Sequence, residues 1–100
     1  MNAMDGDEDL WSRSGLRQFQ RVSSVVTGHR GRFGVDVEIV GPRSGIPAFI
    51  DFVMLADSEH VEPKDYPPIG SRVEAITLDF MPNGELRLSA RPSDLAPDES

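Results

Sequence analysis

The chain contains no cysteine, which excludes disulfides and thiolate-ligated zinc and is compatible with a reducing compartment. Histidine is nearly as scarce. Only His29 and His60 are present, without a carboxylate constellation beside them, so no metal centre or cofactor is expected and both are read as exposed side chains. No apolar run approaches the roughly 18 residues of a membrane span. The N-terminus carries acids where a secretory signal needs a basic stretch and an apolar core, so a soluble cytoplasmic protein is expected. The glycine-containing stretch Gly28-His29-Arg30-Gly31-Arg32 lacks the spacing and the Lys-Ser/Thr ending of a phosphate cradle. What remains is a chain of 100 residues, enough for one domain with a modest core.

The net charge of -7 is unevenly placed. Asp5, Asp7, Glu8 and Asp9 crowd one end, and Asp94, Asp98 and Glu99 the other. Between Arg13 and Arg91 the remaining ten acids balance all ten Lys and Arg residues, so the body is formally neutral. Within it Arg13, Arg17, Arg21, Arg30 and Arg32 share a stretch free of acid, whereas 51–79 is acid-rich. Nine of the ten basic residues are Arg, a bias that genomic base composition alone can produce in ordinary solvated side chains.

The clearest local signal is 32–40. Val35, Val37 and Ile39 alternate with Asp36 and Glu38, which predicts a strand with one buried and one wet face. Phe33 precedes the alternation, and Gly34 is read as a bulge or bend. A β-branched stretch from Val22 to Gly28 predicts the strand before it, joined by a hairpin turn at 28–32. Before that strand, Ser14 is read as the cap of a short helical turn carrying Leu16 and Phe19 on one side. Gly41-Pro42-Arg43-Ser44-Gly45 is a turn, and the largely apolar 46–55 predicts a third strand buried on both sides for part of its course. In it Asp51 is expected to point outward, because an unpaired carboxylate in the core would cost several kcal/mol. A long connection with one helical turn covers 56–68. A fourth strand spans 70–80, with Val73, Ala75, Thr77 and Asp79 on one side. Pro82-Asn83-Gly84 is a hairpin turn, and Leu86 and Leu88 point inward from a fifth strand over 85–90. Trp11, beside the acidic N-terminal segment, is expected to pack on this body.

Five strands, a long third connection and a bulge-prone glycine in the second strand predict an all-β fold, a five-stranded OB-type barrel. Phe33-Gly34-Val35-Asp36-Val37-Glu38, then Ala48-Phe49-Ile50-Asp51-Phe52, then Ile69-Gly70-Ser71-Arg72-Val73 through Asp79, and finally Leu86-Arg87-Leu88-Ser89, resemble the S1 motif, the RNA-binding repeat of ribosomal protein S1. The resemblance covers Val22 to Arg91. It implies an S1-like OB-fold domain over 14–91, flanked by a disordered acidic segment over 1–13 and a flexible acidic tail over 92–100.

The resemblance also implies a binding face. In that family an aromatic before the strand-two glycine and another three residues later stack on bases, helped by a strand-three histidine. An Asp closing strand four and a basic residue opening strand five complete the face. Here Phe33 and Asp79 match, while Asp36, Asp51 and Glu85 stand at the other three positions. Carboxylates there would repel a phosphate backbone, which supplies most non-specific affinity. The expectation is therefore a non-catalytic protein-interaction or regulatory module, its face formed by Phe33, Asp36, Asp51, Asp79 and Glu85 and its partner a basic protein surface. The alternative is weak binding of single-stranded RNA through Arg30, Arg32, Phe33 and Arg87. No nucleophile or cofactor motif accompanies the acids, so catalysis is not expected.

Overall fold

A computed structural model describes residues 3–57 and 61–95. Helix α1 (Ala3–Ser14) precedes strands β1 (Arg21–His29), β2 (Gly34–Gly41), β3 (Ala48–Asp51), β4 (Arg72–Phe80) and β5 (Leu86–Ser89), and a short helix α2 (Pro92–Leu95) comes after them. The strands close in the order β1-β2-β3-β5-β4, with β3 and β5 parallel and every other pair antiparallel. This is the closed five-stranded barrel of the OB-fold.

Period-two alternation builds the core. Val22, Val26, Val35, Val37, Ile39, Ala48, Ile50, Ala75, Leu86 and Leu88 point into the barrel, each 5% exposed or less. Ser24 and Thr77 share that interior, with every polar atom employed: Ser24 Oγ donates to the Val73 carbonyl at 2.8 Å, and Thr77 Oγ1 donates to the Arg17 carbonyl while accepting from the Gln20 amide. Closure leaves none of the five strands as an exposed edge.

Several sequence expectations are corrected. The bulge does not fall at Gly34, where β2 and β3 pair in continuous register. The register shifts lie instead in the β1–β2 ladder, where Thr27 is extra on β1 and Val40 on β2, and in β4, between Thr77 and Asp79. Gly34 serves close approach: its φ is +140°, and a Cβ there would lie 2.1 Å from the Ile50 carbonyl oxygen. The β4 shift reverses the facing of the residues beyond it, so that Asp79 pairs with Arg87 on the outside while Phe80 pairs with Leu86. β3 is shorter than the apolar run suggests, because the chain turns into a 3-10 turn at Phe52–Met54.

Helix α1 occupies most of the segment read as disordered. It docks by one contact the sequence does support, Trp11 edge-on to Phe80 with ring centroids 4.7 Å apart. Ser14 ends this helix rather than starting one. Its hydroxyl donates to the Trp11 carbonyl and accepts from the Leu16 amide, so Leu16 is buried while Phe19 swings out to solvent. The first residues of the expected flexible tail form α2, tied to the body by Ser93 Oγ donating to Asp57 at 2.6 Å and by Asp94, which accepts from Ser89 and Arg91. Arg91, and then Ser89, hold the Asp94 carboxyl below its ordinary range. The rest of that tail and His60 lie outside the described residues. Among those residues no helix is long and apolar enough to cross a membrane.

Candidate functional site

Barrel register aligns one outward-facing row across four neighbouring strands. Asp36 of β2 pairs with Phe49 of β3, Phe49 with Arg87 of β5, and Arg87 with Asp79 of β4. Asp36 also faces Gly28 of β1 across the hairpin. Asp36, Asp79 and Arg87 are residues the sequence assigned to the face. Phe49 is the addition. Alternation about the buried Ile50 already puts it on the same side as Asp51, but nothing local reveals what covers it.

What covers it is Arg30. A 3-10 turn at Gly31–Phe33 folds the β1–β2 hairpin back on itself, with the Arg30 amide donating to the Gly34 carbonyl at 2.8 Å and the Phe33 amide to the Arg30 carbonyl at 2.9 Å. The guanidinium thereby reaches over the Phe49 ring, 4.5 Å from its centroid. Phe49 is only 4% exposed although it stands outside the main core cluster. The same guanidinium donates two hydrogen bonds to Glu85, at 3.0 and 2.5 Å, and a third to Asp36 at 2.5 Å. The bond to Glu85 chiefly, and that to Asp36, raise the Arg30 pKa further above its ordinary value. Reciprocally, Arg30 and then Asn83 hold Glu85 below the usual carboxylate range.

A second pair completes the row. Arg87 donates from Nε and Nη2 to the two oxygens of Asp79 at 2.8 and 2.9 Å, a bidentate bond that raises the Arg87 pKa. Asp51, the remaining acid of the expected face, is half-buried and accepts from the Val53 amide at 3.2 Å, so it caps the 3-10 turn after β3. Its negative charge adds to burial in raising the Tyr66 phenol above its ordinary range. Tyr66 is buried edge-on against His29, whose Nε2 bonds the Pro67 carbonyl at 2.8 Å.

Three of the four carboxylates read from the sequence are thus taken up by arginines of the same face. Arg32 and Phe33 stand otherwise. Phe33 is 63% exposed at the rim of the row, and Arg32, also exposed, makes no ion pair among the described residues. Phe52, which follows Asp51 as Phe33 precedes its partner Gly34, adds a second exposed ring at the same rim. Its sequence signal was hidden inside an apolar run that reads as strand core. Among the described residues no group of three metal-ligating side chains gathers here or elsewhere.

No protein-family model matches this chain, and no curated protein does. Solved structures do. The intact alpha subunit of aIF2 from Pyrococcus abyssi superposes with a TM-score of 0.64 at 24% identity, over 75% of this chain and 28% of that one. The a/eIF2alpha-aDim2p-rRNA complex from Pyrococcus horikoshii OT3 gives the same score and identity, over 75% of this chain and 44% of that one. GSP13 from Bacillus subtilis gives 0.66 at 16% identity, over 85% of this chain and 63% of that one. This chain therefore spans less than two thirds of each of these neighbours, and at these identities the likeness is one of fold.

Proposed function

We propose that this S1-like barrel is a binding module for single-stranded RNA, which it engages across the outward row from the hairpin rim toward β4. The observation that carries the reading is the internal pairing of the acids. Arg30 holds both Asp36 and Glu85, offsetting one of their two charges, and Arg87 neutralises Asp79, while Arg32 and Phe33 remain turned to solvent. A sequence-level count of carboxylates makes the face look repulsive to phosphate. Counted with its arginines, it holds Arg30, Arg32 and Arg87 against Asp36, Asp51, Asp79 and Glu85, close to balance.

On this reading a base stacks on Phe33, with Phe52 beside it, and Arg32 takes a phosphate. One neighbour of the same fold is a complex that contains rRNA, which lends the reading support. The alternative of a basic protein partner needs free carboxylates, and pairing with Arg30 and Arg87 offsets two of the four negative charges and ties up three of the four groups. The role is one of binding rather than chemistry, since Asp36, Asp79 and Glu85 are committed to arginines and Asp51 caps the turn after β3.

The test is fluorescence anisotropy of a labelled mixed-sequence single-stranded RNA titrated with the protein at low and at higher salt. Phe33→Ala should weaken binding by about five- to 150-fold, the equivalent of one lost base stack. Arg32→Gln should reduce the slope of log affinity against log salt by about 0.7. Absence of binding at low salt would overturn the reading and return attention to a protein partner.

A further inference from the structure

A second aromatic contact is built into the connection between α1 and β1. Phe19 is the one non-glycine residue with positive φ among the described residues, at +62°, a conformation that bulky L-residues rarely adopt. It is also the most exposed large hydrophobic side chain described, at 66%. Packing explains neither property. A strained residue persists only where its surroundings over-determine it, and such residues cluster at functional positions.

The surroundings do over-determine it. The Phe19 amide donates to the Thr77 carbonyl at 2.9 Å, Gln18 Nε2 to the Leu78 carbonyl at 2.9 Å, and the Arg17 amide to Gln20 Oε1 at 2.8 Å. The Thr77 amide returns a bond to the Gln20 carbonyl at 3.0 Å. The loop is thereby pinned beside Thr77 and Leu78, at the β4 register shift that turns Asp79 outward. It continues the outward row beyond β4. Arg17, two residues before the ring in sequence, is exposed and makes no ion pair among the described residues, whereas Arg21, two residues after it, is turned to the Leu95 carbonyl at 3.0 Å and to Glu74.

We propose that Phe19 and Arg17 form a second contact for single-stranded nucleic acid, a base stacking on the Phe19 ring and a phosphate meeting the Arg17 guanidinium. An exposed ring with an uncommitted arginine two residues away suits the alternation of base and phosphate, whereas a protein hot spot is a ring set among apolar neighbours that exclude water. Reaching β4 from β2 crosses three strand spacings, about 14 Å, so a strand held at Phe33 must extend past the row to meet Phe19. This inference rests on the RNA-binding reading above and assigns its far end.

The experiment compares labelled oligouridylates of about four and about twelve nucleotides, bracketing most of the site sizes known for OB-folds. Phe19→Asn is the informative variant, because Asn accepts the left-handed conformation and should keep or raise the melting temperature. It should weaken the longer RNA about tenfold or more and leave the shorter one unchanged. Arg17→Gln should lower the salt slope for the longer RNA alone by about 0.7. If Phe33→Ala weakens both lengths while Phe19→Asn and Arg17→Gln change neither, or change both equally, the second contact is wrong and the RNA-binding reading survives. If the unaltered protein binds neither length, that reading fails and this one with it.

Discussion

Replacing Glu85 with Gln should lower stability and raise RNA affinity at once. Gln keeps the shape and one acceptor oxygen but removes the charge that Arg30 grips through two hydrogen bonds. Charge-assisted hydrogen bonds contribute about 1.5–3 kcal/mol in sheltered settings. The Glu85 side chain is 16% exposed, but those of Arg30 and Asp36 are 35% and 37% exposed, so screening reduces the expected loss to about 1–2 kcal/mol. For a chain of this size each kcal/mol corresponds to about 4–8 °C in Tm. Urea denaturation followed by circular dichroism measures it directly. The pH dependence has a definite sign. The folded pKa of Glu85 lies below its ordinary 4.5, so the contribution is complete above that value and disappears as pH falls through the depressed folded value. The gap between native protein and Glu85→Gln should therefore be open at pH 7 and narrow on acidification below about 4.5. Meanwhile the variant removes one negative charge from the face and loosens Arg30, so RNA should bind about two- to fivefold more tightly at low salt. A stability change below about 0.3 kcal/mol with no pH dependence, or a loss of RNA affinity, would refute the clamp as described.

Gly34→Ala should destabilise by at least about 2 kcal/mol, since the new methyl meets backbone oxygen at a positive φ; a native-like melting curve would contradict the close approach of β2 and β3. Tyr66→Phe should be neutral or stabilising by up to about 1 kcal/mol, because the buried hydroxyl lies near the Gly34 amide without the geometry of a hydrogen bond. A loss greater than that in denaturant titration would mean that the hydroxyl does bond there.

The barrel was legible because its signals are local. Val35, Val37 and Ile39 alternate within one strand, Leu86 and Leu88 within another, and Asn83-Gly84 marks the turn between β4 and β5. The outward position of Asp36 was equally readable. Its partner was not, because Arg30 and Glu85 are 55 residues apart and meet only when β3 pairs with β5. Asp79 shows a different failure: strict alternation places it with Ala75 and Thr77, and one register shift moves it to the other face. The helical turn expected from Leu16 to Phe19 failed for a related reason, since Thr77 and Leu78 offer that segment backbone bonds that a helix would forgo. Helix α1 carries little amphipathic pattern in its acids and is fastened near its end, by Trp11 against Phe80 and by Ser44 Oγ donating to the Ser14 carbonyl, leaving periodicity almost nothing to report.

The aromatic pair has a practical consequence. Trp11 is the chain's single tryptophan, and its ring meets Phe80, the residue after Asp79 at the end of the outward row. Its emission therefore serves as an intrinsic optical reporter on the seam between α1 and the far end of the row, readable in the unlabelled protein during any titration.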